Sequence, residues 1–63
     1  MTPIDETGTL RREGGGFALA RDLGGRYRLE LGRMPVDHVE KRVRVHGRLI
    51  GDGVVEVDGL AAA

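Results

Sequence analysis

Five short stretches of this chain alternate apolar with polar residues, and this alternation constrains the fold more than any other feature. The stretches read GTLRRE, GFALAR, RYRLELG, KRVRVHG and VVEVDGL, and they lie between Gly8 and Leu60. A period of two is typical of strands that have one face on a core and the other face in water. Five such strands in 63 residues predict an all-β domain, a small closed barrel.

The size of the chain predicts one domain over residues 1–63, with an ordered core at about 6–60 and a frayed tail at 61–63. The chain has no cysteine, which excludes disulfides and thiolate metal sites. The first eight residues lack the pattern of a secretory signal, and no apolar segment has the length of a membrane span. We therefore expect a cytoplasmic protein without a membrane partner.

The third stretch has the clearest pattern, with Tyr27, Leu29 and Leu31 on one face and arginines on the other. A shift of one residue would bury charges, so the register is strongly specified. Pro3 is expected to keep the lead-in from pairing. The triple glycine at 14–16 predicts a hairpin turn rather than a phosphate-binding loop, because a strand and not a helix follows it.

The alternation breaks between residues 33 and 41. Pro35 fits the first turn of a helix, and Val36 and Val39 fall on one face, so we predict one short helix between strands 3 and 4. Gly47, inside the fourth strand, predicts a bulge that helps a small barrel to close.

Three strands, a short helix and two strands is the element order of the OB-fold, a five-stranded Greek-key barrel. Through GTL, ALARDLGGRYRLEL and RVRVHGRLIGDGVVEVDGL the chain resembles a small stand-alone bacterial OB-fold family of unknown function, of the kind found in alphaproteobacteria. The resemblance implies a fold but no functional residue. An SH3-like barrel is the competing architecture, but it places its helical turn before the last strand, where this chain has only Gly51-Asp52-Gly53.

Sites for catalysis or metal binding are not predicted. The chain has no serine, and its two histidines, His38 and His46, lie on different elements without a cysteine near them. The acidic pair Glu56 and Asp58 shares an outer strand face, where solvated carboxylates are not expected to work as a catalytic acid–base pair. We expect a protein that is not an enzyme and that has no cofactor.

The arginines are the remaining candidates for a site. Ten basic and ten acidic residues cancel, and Lys41 is the only lysine, a bias that also fits a GC-rich genome. In OB topology one basic patch would form on strands 1 and 4 and another on strand 3, the latter facing Ala18 and Ala20. The candidate ligand-binding residues are Arg11, Arg26, Arg28, Arg42, Arg44 and Tyr27, with His46 beside the first patch.

Two functions therefore stay open. The first is a binding module that takes single-stranded nucleic acid or another polyanion weakly through these arginines. Against it, Phe17 and Tyr27 are the only aromatic residues, and both fall on the core phase, whereas stacking on bases needs exposed rings. The second is a protein-interaction or weakly self-associating module, which a marginal core and the outward Val54 favour.

Overall fold

A computed structural model of the chain describes residues 2–32 and 36–63. Five strands run along it: β1 (Thr2–Glu13), β2 (Gly16–Arg21), β3 (Arg26–Glu30), β4 (Arg42–Gly51) and β5 (Val54–Ala62). They form one closed sheet in the order β1-β2-β3-β5-β4, in which β4 pairs again with β1. Neighbouring strands are antiparallel except β3 and β5, which run parallel. The prediction of five strands in an all-β domain is confirmed.

The core fills the inside of this sheet. On β4 the predicted inward residues Val43 and Val45 are fully buried, whereas Arg42 and Arg44 are exposed. The buried apolar cluster takes residues from every strand, namely Leu10, Phe17, Leu19, Leu29, Val43, Val45 and Val55. Each such side chain stabilises the fold by about 1.5–3 kcal/mol. The alternation of apolar and polar residues along the strands was sufficient to predict these inward positions.

Both ends of the described chain pair with β4. Pro3 was expected to prevent pairing, but β1 begins at Thr2 and Pro3 lies opposite Arg48 of β4. Among the described residues, residues 2–6 pair with β4 alone, since β2 joins only from Gly8 and the N–H of Asp22 donates to the carbonyl of Thr7. One edge of this segment is therefore unpaired, and there a missing N–H costs nothing.

The end of the chain, where the sequence predicts a frayed tail at residues 61–63, pairs with β4. Ala61 and Ala62 belong to β5, opposite Arg44 and Val43. The backbone N–H of Ala63 donates to the carbonyl of Arg42 at 3.1 Å. Hydrogen bonds to the backbone of β4, rather than side-chain burial, hold this end of the chain.

The short helix predicted between β3 and β4 is absent from the described residues, where a single 3₁₀ turn at Val36–His38 stands instead. Glu40 adopts the left-handed region with a φ of 64°. Its N–H donates to the carbonyl of Leu10 at 2.7 Å, and the N–H of Leu10 donates to the carbonyl of Lys41 at 3.0 Å. The chain is thus diverted onto β1 before a full α-helical turn forms. Pro35, the predicted first residue of the helix, lies outside the described residues.

A bulge lies beside Gly47, as predicted, but its extra residue is on β5: His46 pairs with Gly59 and Gly47 with Val57, so Asp58 has no register partner on β4. The two strands approach closely at this point. A Cβ atom on Gly47 would lie 3.0 Å from the Cα of Val57 and nearer still to the carbonyl oxygen of Glu56. Only glycine allows this approach. Among the described residues no helix has the length and hydropathy that crossing a membrane requires.

Candidate binding groove

The outer face of β1 and β4 carries the arginines that the sequence placed there, but their charge is neutralised. Arg44 donates two hydrogen bonds to the carboxylate of Asp5, at 2.8 and 2.6 Å. Arg42 pairs with Asp22. Arg11 lies 4.0 Å from a carboxylate oxygen of Glu40. The outward direction of these side chains is as predicted, whereas the basic patch expected from them is a set of ion pairs.

The contact between Asp5 and Arg44 also shifts the pKa values of both side chains. The pKa of Asp5 is lowered from its ordinary value of 3.8, first by the hydrogen bonds from Arg44 and then by the positive charges of Arg44 and His46, while desolvation acts in the opposite direction. The pKa of Arg44 is raised by the same contact. Asp5 is therefore ionised at neutral pH, and it keeps Arg44 paired.

The outer face of β3 differs from that of β4. Arg26 and Arg28 lie opposite Ala20 and Ala18 of β2, as predicted, and both are exposed. Arg26 donates to the carboxylate of Glu13 at 2.5 Å. Within residues 2–32 and 36–63, no carboxylate lies within 4.0 Å of the Arg28 guanidinium. Arg28 is thus a cation available to an external anion.

A groove of about 240 Å³ lies on this face, and we call it the β2–β3 groove. The turn between β1 and β2 borders it on one side, where Gly14 and Gly15 both take positive φ as the predicted hairpin requires. The turn between β4 and β5 borders it on the other, fixed to β3 by a 2.7 Å hydrogen bond from the N–H of Arg28 to the carbonyl of Gly53. The lining residues are Glu13, Phe17, Ala18, Arg26, Arg28, Asp52 and Gly53.

Ala18 forms an apolar surface in the groove, and it is only 6% exposed although it is on the outer face. The strand register explains this burial. On β3, Arg26 lies opposite Ala20 of β2, whereas Glu13, on β1, lies opposite Gly16 at the other end of β2. An ion pair between these two side chains therefore crosses the outer face of β2 at the level of Ala18. The groove contains an apolar patch under a salt bridge, with Arg28 beside it.

Sequence reasoning placed Arg26 and Arg28 at this face but missed Glu13 and Asp52. Asp52 reaches the groove because the first residue of β5, Val54, pairs with Arg28 in parallel. A parallel pairing between strands so far apart in sequence has no local signal. The sequence signal that could have indicated a groove is the run of small outward residues on β2, Gly16, Ala18 and Ala20, because small residues leave space between the longer side chains of neighbouring strands.

Tyr27, the remaining candidate, lies on the inner phase of β3 opposite Leu19 and packs against the core. The guanidinium carbon of Arg21 lies 4.8 Å from the centre of its ring, and the Nε of Arg21 donates to Glu6 at 3.3 Å. This is cation–π geometry inside the sheet. Tyr27 therefore does not share the face on which Arg26 and Arg28 lie.

For metal binding, the part of the chain that the structure describes has no group of three or more His, Cys, Asp or Glu side chains arranged to hold an ion. His46 is exposed on β4, and His38 is half-buried in the 3₁₀ turn.

Comparison with known proteins adds a family but no function. Searches of curated proteins and of solved structures found no significant match. Residues 7–63 match one protein family, which confirms the predicted assignment to a domain of unknown function. The match covers nearly the whole chain, so this chain belongs to the DUF5818 family, whose description is "Protein of unknown function".

Proposed function

We propose that the closed sheet is an OB-like barrel. The strand order β1-β2-β3-β5-β4, closed by pairing of β4 with β1, supports this assignment, as does the parallel pairing of β3 with β5. OB-folds take oligonucleotides and oligosaccharides on the face of strands 2 and 3, between the β1–β2 and β4–β5 loops. The β2–β3 groove occupies the corresponding position in this protein.

The function that this geometry supports best is a non-enzymatic module that binds single-stranded nucleic acid or a similar polyanion in the β2–β3 groove. The observation that carries the proposal is the Arg28 guanidinium, exposed beside an apolar patch and without a carboxylate partner among the described residues. Binding is weak, because the net charge is zero and both aromatic rings lie on the inner phase of the sheet.

Fluorescence anisotropy with labelled oligo-dT and oligo-rU, titrated between about 50 and 200 mM salt, tests the proposal. Arg28→Ala should weaken binding and reduce the salt dependence by about 0.7 of a log unit per log unit of salt, the share of one phosphate contact on a single strand. Arg44→Ala is the matched control, because Arg44 is also exposed but is held by Asp5. Absence of binding at about 50 mM salt, or an equal loss in both variants, would contradict the proposal.

A protein-interaction or self-associating module is the second candidate, and exposed apolar side chains favour it. Leu23 is 84% exposed in the turn between β2 and β3, and Ile50 is 40% exposed near the end of β4. Light scattering across a concentration series tests self-association. A concentration-dependent mass that Leu23→Ser abolishes would support this function, and a monomer at every concentration would argue against self-association.

A further inference from the structure

We propose that Glu13 is a built-in competitor for the anion site, which holds Arg26 in an ion pair that the phosphate of a ligand must replace. This inference rests on the proposed function of the β2–β3 groove. It assigns a role to a carboxylate that the sequence did not mark, and it explains how a groove with two arginines discriminates among anions.

Glu13 and Arg26 come from strands that do not pair with each other, since β2 lies between β1 and β3. Their contact at 2.5 Å therefore spans the groove rather than following one strand pair. The diagonal from Glu13, opposite Gly16, to Arg26, opposite Ala20, passes the level of Ala18, which is also flanked by its direct partners Arg11 and Arg28.

The Glu13–Arg26 ion pair is exposed enough to open readily. The Glu13 side chain is 38% exposed and that of Arg26 is 60% exposed, so both groups can be solvated when they separate. Exposed ion pairs of this kind are weak in water. A phosphate that contacts Arg28 at the same time can therefore exchange with the carboxylate, whereas an anion too small to reach both guanidiniums gains less from the exchange.

Glu13 differs from the other described carboxylates because it both lines the groove and pairs with an arginine, whereas Asp52 lines the groove without such a pair. Asp5 and Asp22 also pair with arginines, but those pairs lie on β1 and β4 or near the β2–β3 turn, and none of their members lines the groove. Glu30 is exposed on the same strand face as Arg28, and no described arginine or lysine lies within 4.0 Å of it. Glu30→Gln thus removes one charge near the groove without releasing an arginine.

The test measures oligo-dT affinity at about 50 mM salt for five proteins: wild type, Glu13→Gln, Glu30→Gln, Arg26→Ala and the double variant Glu13→Gln/Arg26→Ala, for which Arg26→Ala is the reference. Glu13→Gln should bind about two- to fivefold more tightly than wild type, the range that loss of an exposed ion pair implies. Glu30→Gln should gain less than that. In the Arg26→Ala background, Glu13→Gln should raise the affinity no more than Glu30→Gln does, because Glu13 then has no arginine with which to pair.

Equal gains in Glu13→Gln and Glu30→Gln would overturn the inference, because net charge alone would then explain them. A full gain from Glu13→Gln without Arg26 would overturn it as well. These outcomes differ from failure of the proposed function, in which wild-type protein does not bind or Arg28→Ala binds as tightly as wild type. A circular dichroism spectrum of each variant, unchanged from wild type, confirms that the comparison is between folded proteins.

Discussion

Replacing Gly47 with alanine should destabilise this protein strongly, although the change adds a single methyl group. Gly47 is buried at the bulge where β4 pairs with β5, opposite Val57. An added Cβ would meet three backbone atoms of β5, including the Cα of Val57 and the carbonyl carbon of Glu56, both at 3.0 Å. Backbone atoms cannot rotate away as a side chain does, so the two strands must separate.

The size of the effect follows from that separation. The closest atom, the Glu56 carbonyl oxygen, lies inside van der Waals contact, so relief needs a displacement on the order of 1 Å in a sheet whose strands are about 4.8 Å apart. Such a shift weakens about two ladder hydrogen bonds, worth roughly 0.5–1.5 kcal/mol each. Overpacking costs about 1–3 kcal/mol by itself. We expect a loss of about 3 kcal/mol, a large share of the roughly 3–9 kcal/mol typical of a chain this short.

Gly51→Ala is the matched control. Gly51 also lies on β4, but a Cβ there would meet no atom within 4 Å, and its φ is not positive. Because alanine restricts the unfolded chain more than glycine does, Gly51→Ala should leave stability unchanged or raise it by about 0.4–1 kcal/mol. The contrast between the two variants isolates the close approach of the strands from the general effect of alanine.

Urea unfolding followed by far-ultraviolet circular dichroism measures both variants, with fluorescence of the single tyrosine, Tyr27, as a second probe. Thermal unfolding should show a midpoint about 12–24 °C lower for Gly47→Ala, at roughly 4–8 °C per kcal/mol for a domain of this size. A Gly47→Ala protein within about 0.5 kcal/mol of wild type would refute the reasoning, as would an equal loss in Gly51→Ala.

Two further predictions concern the outer face and the core. The pKa of Asp5, measured by NMR titration, should lie below 3.8 in wild type and rise in Arg44→Gln. The pKa of Asp5 is lower in the folded than in the unfolded protein. The contribution of the Asp5–Arg44 pair to stability is therefore present above the unfolded-state pKa and is lost as pH falls through the folded-state pKa. An Asp5 pKa that Arg44→Gln leaves unchanged would contradict the assigned cause. In the core, Val45→Ala should cost about 2 kcal/mol in urea unfolding, from two lost methyl groups and the cavity they leave. Leu23→Ala, at a side chain 84% exposed, should cost less than about 0.5 kcal/mol, and equal losses at the two positions would contradict the assigned core.

The parts of the fold that follow from side-chain alternation could be predicted from the sequence. The inward positions of Val43 and Val45, and the outward positions of Arg26 and Arg28, need only a period of two. The bulge beside Gly47 was predictable for a related reason, since a glycine inside a strand marks a place where backbones approach.

Features held by the backbone were not predictable in this way. Ala61 and Ala62 pair with β4 through main-chain groups that every residue has, so their side chains give no signal. The 3₁₀ turn depends on Glu40 bonding to Leu10, a contact across thirty residues that local helix rules do not contain. The strand face that carries the groove was predictable. The ion pair that Glu13 forms across it was not, because that contact depends on which strands become neighbours in the sheet.

The location of ion pairs together with that of the groove, rather than the number of arginines, supports the proposed binding face, since Arg12 is also absent from the ion pairs of the described residues but does not line the groove. A neutral composition gives no basic region when it is read along the sequence, yet pairing in space is uneven. The Arg42 and Arg44 guanidiniums are each matched by a carboxylate on a neighbouring element, so their fields cancel within a few ångströms. Arg28 keeps its charge beside an apolar patch, where the field is screened less than in open water. A protein without net charge can therefore expose an unpaired cation in a groove, and in the function proposed above the strength of the Glu13–Arg26 pair sets how readily an anion is bound there.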